Sequence, residues 1–536
     1  MGYYVAVLGS LLGVSTLFFN AYNIPKIILL WVGAGVLWYK AKDEVTLPAL
    51  TQPVLIFLAA VFLAARLSVD PNVSFVGYYY APFHGFLTAV ICALLFFGAG
   101  MTERKGDLFR AMAWASFPLT GYAVLQVCGF DPLGWPLPKG RATSFLGNPV
   151  YLGACYAVIL PAVMGMTIQS PKDQDRTLGL LASISCAIGL ALAWSKGAVI
   201  ASGCGIVVFG VLSRELPRKA LLALPAFVFA GVWGLSHDLA RLELWRISWR
   251  AFLAHPYLGW GPDTFLLAWR QFRTLEWVSI YQSTEMGQAS AHNDIMQVAV
   301  TMGLLGLTAY GYLIYRTWKE VDENPLGAGP VVGGILAAAF IQAKVNPLPL
   351  PVLAIVAMAA GLLPGVKQYP GVWFKLAGVP LCVIGLILSS QFALADFHFR
   401  NFNAGKNINV ALESLKSAIN HNPNEQLYCG RAVEVLTRIG TRTKRSEFHQ
   451  TAKQIATYMT IQHPYDPLSY DSLASVYWAT GDYRNAYLNY SVASKLDPTF
   501  MLYLKARSAL ATLANTNDAK ELRRRYSVVK QYAEKK

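Results

Sequence analysis

Long apolar segments follow one another along the chain as far as residue 394, with short polar gaps between them. A helix needs about 20 mostly apolar residues to cross a bilayer, and backbone groups inside a membrane have to be satisfied within a helix. The pattern therefore predicts an all-α fold in which residues 1–394 form a polytopic membrane bundle of about 12–13 spans. The candidate spans are residues 3–20, 25–41, 53–68, 82–101, 108–129, 149–168, 177–194, 197–213, 219–236, 293–315, 328–344, 349–365 and 373–394.

The charges in the gaps between these segments predict the orientation of the bundle. Every second gap is rich in Lys and Arg, whereas the other gaps carry fewer cations or an acidic group such as Asp70. Cytoplasmic loops of membrane proteins carry the excess of positive charge. We therefore expect a cytoplasmic N-terminus in a bacterial inner membrane, with an insert at residues 237–292 and the C-terminal domain in the periplasm. The cations of the predicted cytoplasmic gaps are Lys40, Lys42, Arg104, Lys105, Lys172, Arg176, Arg214, Arg218, Lys219, Arg316, Lys319 and Lys367.

The insert at residues 237–292 is longer than a simple connection between two spans, and it contains an amphipathic stretch. Leu242, Trp245 and Trp249 recur at helical intervals. Arg246 and Arg250 are four residues apart and so share a helical face. Two interpretations stay open: these arginines bind an anionic substrate, or they reach lipid phosphates from a helix at the membrane interface. Membrane lipids are therefore an expected partner.

The hydrophobic pattern changes after residue 394, where the long apolar segments stop and a repeat begins. Residues 467–500 resemble a tetratricopeptide repeat, which has about 34 residues. Weaker copies end near Pro423 and Pro464, so residues 395–536 are predicted to form a soluble α-solenoid. Such a domain either presents a concave surface to a protein or polymer partner or caps the membrane domain. The residues that match the repeat are Tyr470, Leu473, Ala474, Tyr477, Gly481, Ala486, Tyr490, Ala493 and Pro498.

Composition supports a membrane protein and excludes several other classes. Hydrophobic residues make up 55% of the 536 residues and charged residues only 14%, which excludes an ordinary cytosolic enzyme and a disordered chain. The net charge of +15 does not indicate nucleic-acid binding, because many of the cations lie in the gaps between apolar segments. The 7 cysteines form no C-x-x-C pair, so neither a zinc site nor a redox motif is expected.

One histidine lies where an apolar helix is predicted to begin. His292 comes directly before Asn293 and Asp294, at the start of the candidate span 293–315. A helix N-terminus disfavours the protonated form of a nearby imidazole, so His292 is a candidate general base. The alternative is that it only caps the helix or lies at the membrane interface.

Several cations are predicted to share the outer end of the bundle with this histidine. Arg141 lies just before a span that begins after Asn148, and Lys196 lies between two apolar runs with almost no loop. A cation near the membrane usually faces a cavity or a counter-charge. Together with Arg241 and Arg246 of the insert, these residues suit a substrate that carries a pyrophosphate.

Four stretches of the chain resemble the O-antigen ligase and polymerase superfamily of bacterial inner-membrane glycosyltransferases. They are RATSFLGNPVYLG, AWSKGA, RLELWRISWRAFLAHPYLGWGPDTF and AHNDIMQVAVTMGLLG, and they run over residues 141–306. The last two, in this order around an insert, are the most specific. The chain departs from the superfamily in one place: Lys196 stands where arginine is frequent, and lysine keeps the charge but loses bidentate phosphate binding.

The resemblance implies a GT-C-like, inverting and metal-independent transferase that needs no cofactor. Such an enzyme moves a glycan from undecaprenyl pyrophosphate to a hydroxyl group of lipid A core, of another glycan or of a protein. By the same resemblance, His292 is the general base. The residues expected to stabilise the leaving pyrophosphate are Arg141, Lys196, Arg241 and Arg246. The residues expected to support the site are Asn293, Asn148 and Arg250.

Several functions stay open at this point. Within the superfamily the chain is a lipid A core ligase, a repeat-unit polymerase or a protein O-oligosaccharyltransferase. A polysaccharide transporter would instead show repeated halves and charged or broken helices near the membrane midplane. A membrane-anchored assembly scaffold would act through its repeats and would tolerate the loss of His292.

Overall fold

A computed structural model describes residues 1–534 apart from 80–83, 136, 223, 225–237, 286, 325–326, 366, 406, 515 and 517. The predicted span 219–236 thus lies mostly outside the described residues. The helices of the membrane part and the insert are α1 Gly2–Leu12, α2 Asn23–Tyr39, α3 Thr51–Arg66, α4 Pro71–Val76, α5 Phe86–Gly100, α6 Asp107–Val127, α7 Pro149–Gln169, α8 Asp173–Ala193, α9 Lys196–Leu212, α10 Leu239–Ala254, α11 Phe265–Phe272, α12 Leu275–Tyr281, α13 Asp294–Glu323, α14 Gly329–Ala343, α15 Leu350–Gly361 and α16 Gly371–Ala404. The helices that follow are α17 Ile408–His421, α18 Gln426–Thr443, α19 Ser446–Gln462, α20 Pro467–Ala479, α21 Tyr483–Leu496, α22 Met501–Leu513 and α23 Ala519–Ala533.

The all-helical prediction is confirmed, and the apolar helices indicate a multi-pass membrane protein. Within the described residues, 4 helices are long and apolar enough to cross a bilayer, namely α7, α8, α13 and α16. Seven further helices are apolar but shorter, and α1 has only 11 residues where a span over 3–20 was predicted. The number of about 12–13 spans therefore stays a prediction. The only regular strands in the described part, β1 Glu44–Thr46 and β2 Gln368–Pro370, form a small antiparallel ribbon.

Helix α7 lies at the centre of the bundle and positions the start of α9. It packs against α6, α8, α9 and α14, and most of its side chains are buried. A Cβ atom at Gly153 of α7 would lie 2.8 Å from the Cβ of Ser195, so a larger residue would push α9 away. Small residues let membrane helices approach closely in the same manner. This contact fixes Ser195 and Lys196 beside the first turns of α7.

Helix α13 is broken at Gly303, where the backbone has φ 60° and ψ −155°. The segment 256–261 supplies the hydrogen bonds that the break removes: Trp260 N–H donates to the Val300 carbonyl at 2.9 Å, and Leu304 N–H donates to the Pro256 carbonyl at 2.8 Å. A Cβ atom at Gly303 would lie 2.4 Å from the Tyr257 carbonyl carbon. The motifs HPYLGWG and TMGLLG are therefore two halves of one backbone junction.

Helix α16 joins the membrane bundle to the C-terminal helices without interruption. The predicted domain boundary at residue 394 falls inside this helix, which continues to Ala404. Beyond it, α17–α23 pack on one another in sequence, and Ala474, Ala486 and Ala493 are fully buried in the cluster between α20, α21 and α22. The match to a tetratricopeptide solenoid stays a prediction.

The C-terminal helices rest directly on the insert and on the loop after α3. Arg270 forms an ion pair with Asp466 at 2.9 Å, and Arg273 forms one with Asp497 at 2.6 Å. His463 Nδ1 lies 2.6 Å from the Asp70 carboxylate. In each pair, at least one of the two side chains is almost completely buried. The C-terminal helices thus hold the insert against the bundle.

Candidate active site

His292 lies in the turn that leads into α13 and has a left-handed backbone, with φ 51°. Its N–H donates to Ser290 Oγ at 3.1 Å, and its ring Nδ1 lies 3.3 Å from Asn346 Oδ1. Burial lowers the pKa of the His292 imidazole and the charge of Arg241 lowers it further, while the Asn346 contact acts in the opposite direction. The ring is therefore neutral near pH 7, which is the state a general base requires.

The short connection between α14 and α15 is the meeting point of the site. The Val345 carbonyl accepts a hydrogen bond from Arg241 at 2.9 Å, and the Lys344 carbonyl accepts one from Asn293 Nδ2 at 3.3 Å. Asn346 contacts His292 as described above. Residues 344–346 therefore hold together groups from the insert and from α13. The connection was not predicted from the sequence. The one feature that could have indicated it is a pair of polar residues, Lys344 and Asn346, between apolar runs before Pro347.

The start of α9 approaches the same connection from the other side. A Cβ atom at Gly197 would lie 2.8 Å from Val345 Cγ2 and 3.5 Å from Asn346 Nδ2. Arg141 Nε donates to the Ala193 carbonyl at 3.0 Å, three residues before Lys196. Lys196 is the exposed first residue of α9, a helix whose N-terminus has no side-chain cap. Uncapped backbone N–H groups and the helix dipole favour an anion at this position.

Arg241 belongs to this cluster, whereas Arg246 and Arg250 do not. Arg241 forms an ion pair with Asp238 at 3.1 Å and reaches the connection between α14 and α15. Successive residues of a helix are rotated by about 100°, so Arg246 and Arg250 project from α10 about 140° and 180° away from Arg241. Arg246 is paired with the buried carboxylate of Glu243 at 2.6 Å, and Arg250 is exposed.

Asn148 and Asn293, which were predicted to support the site, each cap a helix. Asn148 caps α7 by accepting a hydrogen bond from Val150 N–H at 2.8 Å. Asn293 caps α13 by accepting one from Met296 N–H at 3.1 Å. Asp294 forms an ion pair with Lys344 at 2.6 Å and also accepts a hydrogen bond from Tyr310. The Asp294 carboxylate is therefore occupied, which leaves His292 as the available base at this helix start.

A cavity of about 300 Å³ opens beside the cluster, between α3, α5, α13 and the connection 344–346. Its wall is mostly apolar, and its polar lining residues include Asn293 and Asn346. Asp263, which sequence reasoning also missed, is buried at this wall and accepts hydrogen bonds from the backbone N–H groups of Tyr78 and His84 at 2.6 and 3.0 Å. The apolar lining residues include Phe57, Val61, Ala89, Cys92, Val298, Met302 and Leu353.

No group of three or more His, Cys, Asp or Glu side chains in the described residues is arranged so that it could hold a metal ion. The charged groups near the site include Arg241, which is paired with Asp238, Lys196 at the start of α9, and Arg141, which donates to the Ala193 carbonyl at the end of α8. The site therefore combines one neutral imidazole, three cations and an adjoining apolar cavity. Such a set of groups can remove a proton from a nucleophile and stabilise an anionic leaving group.

The family model described as O-Antigen ligase matches residues 181–311 of the chain. The matched region runs from α8 to the middle of α13 and includes Lys196, Arg241 and His292, but neither Arg141 nor the connection 344–346. The match supports the O-antigen ligase superfamily and, with it, a glycosyltransferase-type membrane enzyme. The superfamily implies a lipid-linked glycan donor and a glycan acceptor. No curated protein matches the chain.

Proposed function

We propose that this protein is an O-antigen ligase-like glycosyltransferase. It transfers a glycan from undecaprenyl pyrophosphate to a hydroxyl group of an acceptor, by inversion and without a metal ion. The transfer takes place at the periplasmic face of the bacterial inner membrane, and the N-terminus is cytoplasmic. The convergence of His292, Arg241 and the α9 N-terminus on residues 344–346 is the observation that carries the proposal.

The reaction follows from the positions of these groups. The acceptor hydroxyl oxygen attacks the anomeric carbon of the donor, and His292 Nε2 takes the hydroxyl proton. The bond between the anomeric carbon and the pyrophosphate oxygen breaks, and undecaprenyl pyrophosphate leaves with the electron pair. A single in-line displacement of this kind inverts the anomeric configuration.

The leaving pyrophosphate carries negative charge, which needs fixed positive partners. Arg241 donates to the connection 344–346, Lys196 begins the helix that adjoins it, and Arg141 donates to the Ala193 carbonyl three residues earlier; the uncapped start of α9 adds backbone donors. Groups that are already in place stabilise a developing anion without reorganisation. The polyprenyl chain needs an apolar surface next to this site, and the lining of the adjoining cavity has this character.

Glycan transfer by the purified protein tests the proposal and identifies the acceptor class. An undecaprenyl-pyrophosphate glycan is offered in detergent with lipid A core, with a second lipid-linked glycan or with a pilin-like protein, each separately. Transfer to one of them assigns the ligase, polymerase or protein oligosaccharyltransferase branch. Arg241→Ala is expected to abolish transfer, and Arg438→Ala, on the exposed surface of α18, is the matched control.

Failure of transfer to all three acceptors, with folded protein and intact donor, would contradict the proposal and favour a transporter or a scaffold. A transporter would be recognised by movement of the lipid-linked glycan across the bilayer of a proteoliposome. A scaffold would retain its cellular role with His292→Ala, whereas the transferase would lose it.

A further inference from the structure

Helix α10 buries one face and leaves an apolar face exposed. Leu244, Ile247 and Ala251 pack against Ala299 and Val300 in the first segment of α13. On the other side of the helix, large apolar side chains are exposed along its whole length. Their exposed fractions are 45% for Leu242, 52% for Trp249, 57% for Leu253 and 74% for Tyr257, which follows the helix. A row of exposed side chains of this size marks an interaction surface.

This row continues into the surface of a membrane-spanning helix. Tyr257 carries the carbonyl that accepts the hydrogen bond of Leu305 N–H, at 3.1 Å. Leu304, the first residue after the break in α13, is itself 48% exposed. The apolar face of α10 is therefore continuous with the outer surface of α13 at the level where its long segment, 304–323, begins. The apolar part of that segment, 304–315, belongs to the candidate span 293–315.

The same face of α10 carries positive charge. Arg246 and Arg250 lie among the apolar side chains, and the side chain of Arg246 is 60% exposed. The acid paired with Arg246, Glu243, lies on the buried side of the helix. Trp and Tyr together with Arg on an otherwise apolar face are typical of helices at the boundary between lipid chains and headgroups.

We infer that this face, made of Leu242, Arg246, Trp249, Arg250, Leu253 and Tyr257, binds the surface of an anionic phospholipid bilayer. The apolar side chains enter the boundary region, and the two arginines contact phosphate groups. Because α10 also carries Arg241, the contact fixes the depth of the site relative to the bilayer. This inference does not depend on the reaction that the site catalyses.

Photo-crosslinking in lipid nanodiscs tests the inference without using activity. The photoreactive residue p-benzoylphenylalanine replaces Leu253 in the full chain, in bilayers of phosphatidylcholine mixed with phosphatidylglycerol. Ile461, which is 68% exposed on α19 of the C-terminal helices, is the matched control position, and Ile384 on α16 is the positive control. Intact mass spectrometry then reports phospholipid adducts.

We expect phospholipid adducts at positions 253 and 384 and none at position 461. Adducts at 384 without adducts at 253 would overturn the inference, because α10 would then face water or another partner. The arginines are tested by the double substitution Arg246→Gln and Arg250→Gln in the labelled chain. It should lower the ratio of phosphatidylglycerol to phosphatidylcholine adducts at 253 by about fivefold per arginine. An unchanged ratio would contradict the inferred contact between the two arginines and the phosphate groups.

Discussion

His292 Nδ1 lies 3.3 Å from the side-chain oxygen of Asn346, although 54 residues separate the two in the chain. An amide oxygen only accepts hydrogen bonds, so Nδ1 has to carry the ring proton of the neutral imidazole. The lone pair is then on Nε2, which makes Nε2 the atom that accepts a proton. Asn346 is in this sense a positioning residue for His292.

Substitution of Asn346 should change the pH dependence of glycan transfer. Asn346→Asp places a carboxylate beside the ring, which raises the pKa of His292. Because the base has to be neutral, the acid limb of the pH–rate profile should move to higher pH. Asn346→Ala should lower kcat by about 10- to 100-fold, since the ring is no longer oriented. A profile that is unchanged by Asn346→Asp would contradict the contact.

Lys196 should act through its charge rather than through a specific geometry. Lys196→Met removes a cation from the uncapped start of α9 and is expected to lower kcat/KM by about 100-fold, which corresponds to the loss of one charge-stabilising group. Lys196→Arg keeps the charge and adds a bidentate donor, so transfer should be retained. Steady-state kinetics with the same donor compare the two variants. Equal losses in both would mean that Lys196 has a packing role only.

The break in α13 should depend on glycine at position 303. Gly303→Ala forces a side chain into a left-handed backbone and places its Cβ 2.4 Å from the Tyr257 carbonyl carbon. The expected cost in the free energy of unfolding is about 1–3 kcal/mol. Gly311→Ala on the same helix is the control, because a Cβ there meets no atom within 4 Å. Thermal unfolding in detergent measures both, and equal melting temperatures would contradict the junction with residues 256–261.

The contact between His463 and Asp70 should make the C-terminal helices less firmly held at high pH. His463 Nδ1 faces the Asp70 carboxylate at 2.6 Å and Nε2 faces the Asn424 carbonyl at 3.0 Å, so both ring nitrogens are positioned to donate. Burial alone would lower the pKa of His463, but the Asp70 hydrogen bond and charge outweigh it and raise the pKa.

A raised pKa in the folded state stabilises the protein below the unfolded value of about 6.5, and this contribution is lost as the pH rises through the folded pKa. The difference in melting temperature between wild type and His463→Gln should therefore be largest at low pH and shrink at high pH. Burial raises the pKa of neighbouring Glu425 to about 7 and the charge of His463 lowers it, so the comparison is made in chains that also carry Glu425→Gln. His421→Gln is the control, because the partly buried His421 ring contacts Gln391 rather than an acidic group. A difference that grows with pH would contradict the charged state of His463.

The sequence predicted the helices better than the way they meet. Apolar segments marked nearly every described helix of the bundle, because hydrophobicity and length alone decide where a span lies. The break at Gly303 escaped prediction, since the apolar run continues across it and only the hydrogen bonds to residues 256–261 reveal it. The ion pairs of Arg270 and Arg273 with the C-terminal helices could not be predicted either, because they join residues that are far apart in the chain.

In the candidate site, too, single residues could be predicted from the sequence but their contacts could not. His292, Lys196 and Arg241 could be named because ionisable groups beside apolar segments are conspicuous. Asn346 was missed, because one uncharged amide between apolar runs is a weak signal and its contact with His292 spans 54 residues. Arg246 was grouped with Arg241 by proximity in the sequence, whereas the helical rotation of α10 turns the two apart.

The rate of a single transfer step by His292→Ala is the most direct test of the proposed reaction. The donor is bound to excess enzyme, the acceptor found for the wild type is added, and the glycan product is measured over time. We expect the rate to fall by at least about 100-fold, the usual contribution of a general base, while the melting temperature and donor binding stay near those of wild type. His421→Ala should transfer at the wild-type rate. Transfer by His292→Ala at an undiminished rate would contradict the assignment of His292 as the base.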